Sequence, residues 1–298
     1  MEQLNSTVVE SAASSSPAFP PDVVPAVLLS IFFVLGVPGN IAVVLLRHKW
    51  QHLSGMSHTL MLNLAFSDLL CLLTLPPWIY SLLNSWIFGL EACKTVSFLS
   101  YCSVYGSQLT VTTVSVQRLL MVVSPTKCRY LGGKRVLVVV WVVAVVLSIP
   151  SYVFQQLYKN ENWSDCTRLY SPDAHTMAAL LTESVVGFIL LFVMAFAYIH
   201  ICRKVKRQTN RLLTSIFVTS FVLWVPYHTL NVLGVAAVSL GRWGLWNFFH
   251  KTYGITVAVT FVNSCLNPLL YAFASYNMRQ RTAADNPAAV TTVEELKE

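Results

Sequence analysis

The sequence predicts an all-α membrane protein, a seven-transmembrane helix bundle followed by a short amphipathic helix 8. Hydrophobic residues make up 55% of the 298 positions and charged residues only 11%, whereas soluble domains carry about 25% charged residues. Seven apolar segments are each long enough to cross roughly 30 Å of hydrocarbon at about 1.5 Å per helical residue. The connections between them are short, which leaves no room for a second domain.

The seven segments, called spans 1 to 7 below, define the domain organisation. Residues 1–23 are predicted to form an extracellular tail, because they are Ser-rich and lack the basic start and apolar core of a signal peptide. Residues 24–274 form the membrane domain, and residues 275–298 form helix 8 and a short cytoplasmic tail. The spans cover residues 24–46, 58–83, 92–123, 135–154, 176–202, 211–238 and 248–273.

The distribution of basic residues predicts the orientation of the bundle. If the N-terminus is extracellular, 14 of the 20 Lys and Arg residues lie on the cytoplasmic side and five on the extracellular side, with Arg118 inside span 3. Cytoplasmic loops carry such an excess, so we expect a multi-pass plasma-membrane protein with its N-terminus outside. The net charge of +7 then forms a rim facing the lipid bilayer's anionic headgroups, and no nucleic-acid partner is needed to explain it.

The sequons and cysteines fit this orientation. Asn5 and Asn162 begin Asn-x-Ser/Thr sequons in segments predicted to be extracellular, where N-glycosylation occurs. Of the seven cysteines, only Cys93 and Cys166 are predicted to lie in the oxidising extracellular space, so they are the expected disulfide pair. This bridge would fix the loop after span 4 over the bundle.

Asp68 is an acid within span 2, in the stretch "MLNLAFSDLLCLL". An ionisable side chain inside the membrane costs about 2.5–3.5 kcal/mol on insertion scales, so each one is a functional candidate. Ser107, Asn263 and Asn267 lie in spans 3 and 7 at depths that converge on Asp68. One interpretation is a hydrated pocket that binds a sodium ion through oxygen ligands. The other is a protonated or hydrogen-bonded structural carboxyl group.

Two further ionisable residues interrupt the apolar spans. Arg118 follows Gln117 near the predicted inner end of span 3, where its long side chain either reaches water or has a functional contact. Glu183 lies about two turns below the outer end of span 5. It either reaches the membrane surface or points into an outward-opening cavity, where it would contact a ligand.

Prolines predict where the bundle bends. Pro226, in "FVLWVPYHTLN", removes a backbone hydrogen bond in the middle of span 6, which kinks a helix. Trp224, two residues earlier, would move with that kink. Asn267 and Pro268 lie near the inner end of span 7, with Tyr271 one turn further on. Kinks in spans 6 and 7 predict a bundle that moves.

These motifs carry a family resemblance over nearly the whole chain. In order, "GVPGN", "NLAFSDLL", Cys93, "VQR", Trp141, "LWVPYH" and "NPLLY" resemble rhodopsin-like (class A) G-protein-coupled receptors. Within that family, "LWVPYHTLNVL", "TNRLL" and "TESVVGF" are most similar to leukotriene B4 receptors. The resemblance implies a small lipid agonist, an outward movement of the inner end of span 6, and a heterotrimeric G protein of the inhibitory class that contacts Arg118 and Gln117.

The resemblance also implies the ligand-binding residues of the outer cavity. Trp224, Pro226, Asn267, Pro268 and Tyr271 would form the switch region below the ligand. The implied ligand contacts are Tyr105, Glu183, His228 and Asn231, with Phe98, Trp78 and Tyr253 as apolar walls.

The chain departs from leukotriene B4 receptors where those receptors would bind a fatty-acid carboxylate. They present a His on span 3 and Arg residues at the outer ends of spans 4 and 7, and this chain has Ser97, Gln155 and Tyr253 there. Arg168, in the loop after span 4, and Lys251, at the start of span 7, remain as carboxylate partners through charge-assisted hydrogen bonds.

Two other departures concern the helices themselves. Leu191 replaces the mid-helix proline of the family, which predicts a straighter span 5 without a bulge between Val186 and Phe192. Gln117 replaces the acid that normally precedes the family's arginine. A neutral partner restrains Arg118 less, by about 1 kcal/mol for neutral against charged hydrogen bonds, which predicts raised basal signalling.

A peptide chemoattractant receptor of the same fold is the alternative to the lipid receptor. This alternative rests on the charged residues that are predicted to surround the outer opening of the cavity, which are Glu91, Asp165, Asp173 and Arg168.

Other function classes fit less well. A transporter or channel is expected to show internal repeats or a polar pore lining, and no repeat recurs at a fixed offset. An intramembrane enzyme needs a nucleophile with a base or a metal cluster, and the sequence contains no His-Glu-x-x-His or Gly-x-Ser-x-Gly pattern. We therefore expect that the protein is not an enzyme and that it binds no cofactor, apart from the candidate sodium ion.

Overall fold

The computed structural model describes residues 22–46, 55–126, 132–160, 163–168, 174–204 and 211–268. These residues form the predicted helix bundle, with span boundaries within a few residues of those expected. Span 2 is two helices separated by a turn at Thr74, and span 7 turns at Phe261 before a further helical segment over 262–268. The helices are Val23–Leu45, Gly55–Leu73, Leu75–Leu83, Gly89–Val123, Gly133–Val153, Ala174–Lys204, Arg211–Ser239 and Trp243–Thr260.

By length and composition, five of the described segments could cross a membrane. They are spans 1, 2, 4 and 5 and the part of span 6 over Phe217–Ser239. Span 3 is less apolar because it packs against spans 2, 4 and 5 in the middle of the bundle. Its hydroxyl and amide side chains therefore face other helices rather than lipid. The buried ones are Ser97, Ser100, Ser103, Ser107, Gln108, Thr110, Thr112 and Gln117.

Hydrogen bonds between these polar side chains connect the central helices. The indole of Trp141 in span 4 donates to the Asn63 Oδ1 atom at 2.8 Å, and the Asn63 amide donates to the Thr110 hydroxyl at 2.7 Å. Spans 2, 3 and 4 are thereby joined in one chain of contacts. The Asn40 amide of span 1 donates to the backbone carbonyl of Ser264 in span 7 at 2.8 Å. Because buried polar groups need partners, these bonds fix the register of the helices.

Span 5 confirms the expectation drawn from its missing proline. The helix is α-helical without interruption from Ala174 to Lys204, so no bulge separates Val186 from Phe192. Leu191 is buried in the apolar core. Each backbone N–H in this stretch can make its helical hydrogen bond, because leucine keeps the donor that proline lacks.

A β-hairpin follows span 4 and was not predicted from the sequence. Strand β1, Gln156–Asn160, pairs antiparallel with strand β2, Trp163–Thr167. The predicted Cys93–Cys166 disulfide is confirmed and joins β2 to span 3. The connection before span 3 also contacts β2, since the Trp86 backbone N–H donates to the Ser164 carbonyl at 2.8 Å.

We call this end of the bundle the hairpin end. It carries the second half of span 2, the start of span 3 and the end of span 4. Several sequence predictions fall outside the described residues: the glycosylation sites Asn5 and Asn162, Tyr271, Asp173, and helix 8 with the tail over 275–298.

Candidate functional site

A buried ion pair lies between the hairpin and span 5. The Arg168 guanidinium, directly after β2, donates to the Glu183 carboxylate, and both side chains are buried. The Tyr227 hydroxyl of span 6 donates to the second carboxylate oxygen of Glu183 at 2.8 Å, and the Asn231 amide approaches the same oxygen at 3.4 Å. Two separate elements, the segment after β2 and span 6, therefore supply donors to one carboxylate on span 5.

Arg168 has further contacts that fix its position. Its guanidinium donates to the Tyr101 hydroxyl of span 3 at 2.6 Å and lies 4.8 Å from the centre of that ring. The Thr176 hydroxyl donates to the Arg168 carbonyl at 2.8 Å. Burial alone would lower the pKa of the guanidinium, but the Glu183 carboxylate raises that pKa well above its ordinary value. The arginine is therefore a permanent positive charge inside the bundle.

Aromatic rings surround this ion pair. We call the ion pair and its three hydrogen-bond partners, Tyr101, Tyr227 and Asn231, the Arg168–Glu183 cluster. The ring centres of Tyr101 and Tyr105 are 6.4 Å apart, and those of Tyr227 and Tyr253 are also 6.4 Å apart. Spans 3, 6 and 7 thus present tyrosines to one region. A tyrosine offers an apolar ring and a hydroxyl that can donate or accept a hydrogen bond, so the region suits a ligand that is mainly apolar.

His228 lies deeper, between spans 5 and 6. Its ring packs against Gly187, where an added Cβ atom would lie 2.0 Å from the imidazole. It also stacks near the Trp224 ring, at 5.9 Å between centres. Neither ring nitrogen has a hydrogen-bond partner among the described residues. Buried polar atoms normally have partners, so His228 is available to a ligand or to water.

Several predicted ligand contacts lie elsewhere in the structure. Ser97 is buried beneath the disulfide, with its hydroxyl 3.9 Å from the Cys166 sulfur. Phe98 packs edge-on against Tyr152 of span 4, at 6.3 Å between ring centres. Trp78 donates from its indole to the Ser100 hydroxyl at 3.3 Å. These three residues support the walls of the site and do not reach the ion pair.

The structure brings part of the predicted sodium-binding set together. Asp68 is fully buried, its Oδ1 atom accepts a bond from the Ser107 hydroxyl at 3.0 Å, and its Oδ2 atom accepts one from the Asn267 amide at 2.7 Å. The Ser264 hydroxyl also contacts the carboxylate. Asn263 instead lines a separate cavity beside Trp224. The sequence therefore predicted two of the three neighbours of Asp68, Ser107 and Asn267. The third neighbour is Ser264, the residue after the predicted Asn263.

At the opposite end of the bundle, Gln117 contacts span 2. Its side chain is buried, and its amide nitrogen lies 3.1 Å from the Ser57 hydroxyl, to which it donates. Arg118 is half-buried beside it. Gln117 therefore connects spans 2 and 3 in addition to preceding the arginine.

Comparison with known proteins assigns this arrangement to a family. Residues 39–271 match the model of the 7 transmembrane receptor (rhodopsin family). The chain belongs to this family. Human leukotriene B4 receptor 1 is 32% identical over 268 residues, which cover 83% of this chain and 76% of that receptor. Human C-C chemokine receptor type 4 is 30% identical over 269 residues, which cover 85% of this chain and 75% of that receptor.

Family membership confirms the resemblance drawn from the motifs. The protein is a rhodopsin-family G-protein-coupled receptor in the plasma membrane, crosses the membrane several times, and is not an enzyme. Receptors of this class bind a small molecule or a peptide and act through a G protein. The two relatives have different ligand types in their names, so the similarity leaves the ligand class open.

The Arg168–Glu183 cluster includes two receptor residues that sequence reasoning missed. Tyr101 precedes Tyr105 by four residues, so both lie on one face of span 3. Tyr227 directly follows Pro226, within a motif already noted for its proline. The helical spacing from Tyr105 and Asn231 could have identified both. Of the predicted contacts, Glu183, Arg168 and Asn231 meet directly, and Tyr105 and Tyr253 line the same region.

Proposed function

We propose that this receptor binds a lipid mediator with a carboxylate group, leukotriene B4 or a related hydroxylated eicosanoid, at the hairpin end, which faces the extracellular space. The observation that carries the proposal is the buried Arg168 guanidinium among tyrosine rings. Ligand pockets of this kind combine apolar and aromatic walls with a few placed polar groups. The similarity to human leukotriene B4 receptor 1 supports the same ligand class.

The contacts of Arg168 indicate how a carboxylate would bind. Glu183 already presents one carboxylate to the guanidinium, so the site has the geometry for charge-assisted hydrogen bonds. A ligand carboxylate would replace Glu183 as the partner of Arg168 and would accept hydrogen bonds from the guanidinium and from the Tyr101 hydroxyl. Glu183 would keep the hydrogen bonds that it accepts from Tyr227 and Asn231. Hydroxyl groups along the ligand chain would bond to Tyr253 or His228.

A peptide ligand is the second candidate, and the acidic mouth favours it. Glu91 is exposed at the start of span 3, and Asp165 lies in β2 at the same end. A basic peptide would contact these acids and then compete with Arg168 for Glu183. The similarity to human C-C chemokine receptor type 4 is consistent with this alternative.

A ligand panel distinguishes the two candidates. Cells that express the receptor would be challenged with leukotriene B4, other hydroxylated eicosanoids, their methyl esters and a set of chemoattractant peptides, with calcium and cyclic-nucleotide signals as readouts. We expect responses to free acids and weaker responses to their esters, because an ester lacks the charge that pairs with Arg168. A response to peptides alone would reject the lipid assignment.

We expect the receptor to show raised basal signalling through an inhibitory-class G protein, because the neutral Gln117 restrains Arg118 less than an acid would. In Gln117→Asp, the new carboxylate would pair with Arg118 and lower basal nucleotide exchange roughly fivefold, equivalent to about 1 kcal/mol. Purified G protein reports this exchange without agonist. Ser57→Ala is the control, because it removes the span 2 contact of Gln117 without adding charge. Equal basal rates in Gln117→Asp and the unmodified receptor would contradict the expectation.

We further propose that Asp68 binds a sodium ion with Ser107 and Asn267 as neighbours. A fully buried carboxylate needs charge compensation, and the donors found on Asp68 in the described part of the chain are neutral. Sodium at tenfold excess over its dissociation constant would stabilise the receptor by about 1.4 kcal/mol. Unfolding temperatures in sodium chloride and choline chloride measure this effect. Asp68→Asn should abolish the difference between the salts; an undiminished difference would refute the site.

A further inference from the structure

The connection between spans 2 and 3, residues 84–88, is apolar although it lies between helices. No charged side chain occurs over residues 69–90, which include this connection and the end of span 2. Connections that face water usually carry polar and turn-forming residues. Ile87 and Phe88 instead expose 66% and 44% of their surface. Two large apolar side chains therefore lie side by side on the outside of the protein, and an apolar patch of this kind calls for an explanation.

Local contacts fix these two side chains in their outward position. The residue before them, Trp86, is buried against the disulfide, and its indole donates to the Gly89 carbonyl at 2.9 Å. Gly89 has a φ of +81°, a left-handed conformation that glycine adopts without strain. The connection is thus a tight turn that buries its tryptophan and directs Ile87 and Phe88 away from the bundle.

The exposed pair is continuous with the lipid-facing side of span 2. The Phe88 ring packs edge-on against the Tyr80 ring, at 5.6 Å between centres. Tyr80 and Leu83 are both exposed and share one face of their helix. Leu83 follows Asp68, near the middle of span 2, by 15 residues, which is about 22 Å along a helix. Headgroups lie about 15–22 Å from the bilayer midplane, so the patch lies at their depth.

We propose that Ile87 and Phe88 insert into the lipid leaflet at the hairpin end and anchor the connection between spans 2 and 3 to the membrane. Aromatic and apolar side chains bind the boundary between headgroups and acyl chains, and an uncharged segment avoids the cost of bringing a charge there. A second receptor copy could also cover apolar side chains, but continuity with the lipid-facing side of span 2 favours lipid. The proposal depends neither on the ligand nor on which side of the membrane the hairpin end faces.

Two exposed residues supply reference positions close to the patch. The Trp86 backbone N–H donates to the Ser164 carbonyl at 2.8 Å, and Ser164 pairs with Lys159 of β1. Lys159 is charged and exposed, so it marks the water-facing side of the hairpin end. Leu73, exposed near the middle of span 2, marks the lipid-facing side.

Fluorescence quenching at single cysteines tests the anchor. Ile87→Cys, Lys159→Cys and Leu73→Cys would each carry a nitrobenzoxadiazole label, in a receptor with Cys128→Ser and Cys202→Ser to limit stray labelling, in phosphatidylcholine nanodiscs. Iodide quenches from water, and lipids that carry a nitroxide quench from the membrane. We expect strong lipid quenching at Ile87, as at Leu73, and iodide quenching severalfold below that at Lys159. A nitroxide near the headgroup should quench the Ile87 label more than one near the chain end, with the reverse order at Leu73.

Two outcomes would overturn the proposal. Iodide quenching at Ile87 as strong as at Lys159 would place the side chain in water. Weak quenching by both agents would show that protein, such as a second receptor copy, covers the patch. Phe88→Cys gives an independent label with the same expected result, and it decides the question if Ile87→Cys does not reach the membrane.

Discussion

Replacing Arg168 by methionine is expected to destabilise the receptor and to lower its potency for a carboxylate agonist. The substitution leaves Glu183 buried with a negative charge, and among the described residues Tyr227 and Asn231 remain as its donors. Removing one partner of a buried ion pair typically costs about 3–5 kcal/mol. Unfolding temperature of the purified receptor measures the first effect. Agonist potency, corrected for surface expression, measures the second and should fall at least roughly tenfold, because charge-assisted hydrogen bonds contribute about 1.5–3 kcal/mol.

The double variant Arg168→Met/Glu183→Gln separates folding from recognition. Glutamine removes the buried charge but keeps a carbonyl oxygen that can accept the hydrogen bond from the Tyr227 hydroxyl. We expect the double variant to recover most of the lost stability, since a buried pair can often be replaced by neutral residues. Its potency for a carboxylate agonist should stay as low as in Arg168→Met, because the positive charge is still missing. A recovered lipid response would show that Arg168 matters only for folding.

Lys251→Met is the control for this experiment. Lys251 is the other cation considered for the ligand carboxylate, but it is exposed at the start of span 7. Exposed charges contribute little, so its removal should leave both stability and potency nearly unchanged. Loss of lipid potency in Lys251→Met, with normal potency in Arg168→Met, would move the carboxylate site to span 7. Loss of a peptide response in Glu183→Gln would instead support the peptide alternative.

The helices could be predicted because the membrane imposes simple requirements on sequence. An apolar run of sufficient length must form a helix to satisfy its backbone, so the seven spans followed from composition and length. The Cys93–Cys166 bridge followed because the topology left two cysteines outside. The β-hairpin was missed, since strand pairing in a loop of 20 residues between spans 4 and 5 depends on contacts with the connection before span 3, which no local pattern reveals.

The candidate site was predicted only in part, for a related reason. Glu183 was identified because an acid inside an apolar helix stands out, and Arg168 because the loop contains few cations. Their mutual ion pair could not be predicted, because it depends on how β2 directs the residue after it into the bundle. Tyr101 and Tyr227 gave no signal of their own, since tyrosines are common in apolar helices.

Gly187→Ala is expected to disturb the packing between spans 5 and 6. The added Cβ atom would lie 2.0 Å from the His228 ring, well inside contact distance. That ring also packs against Phe188 and Trp224, at 5.6 and 5.9 Å between centres, so it has little space to retreat. Overpacking of this kind costs about 1–3 kcal/mol. We expect a lower unfolding temperature and an altered basal nucleotide exchange rate, since the displaced ring presses on Trp224.

Two further variants show whether the effect arises from the His228 contact. Gly254→Ala adds the same methyl group to span 7, where its nearest neighbour, Pro25, is at an ordinary distance of 3.6 Å, so stability should be unchanged or slightly higher because alanine favours helices. Gly187→Ala/His228→Ala removes the obstructing ring and should recover stability relative to His228→Ala alone. If Gly187→Ala remains equally destabilising without the ring, the close approach of His228 is not its cause. If recovery is complete, glycine at this position is required because the imidazole occupies the space of a side chain.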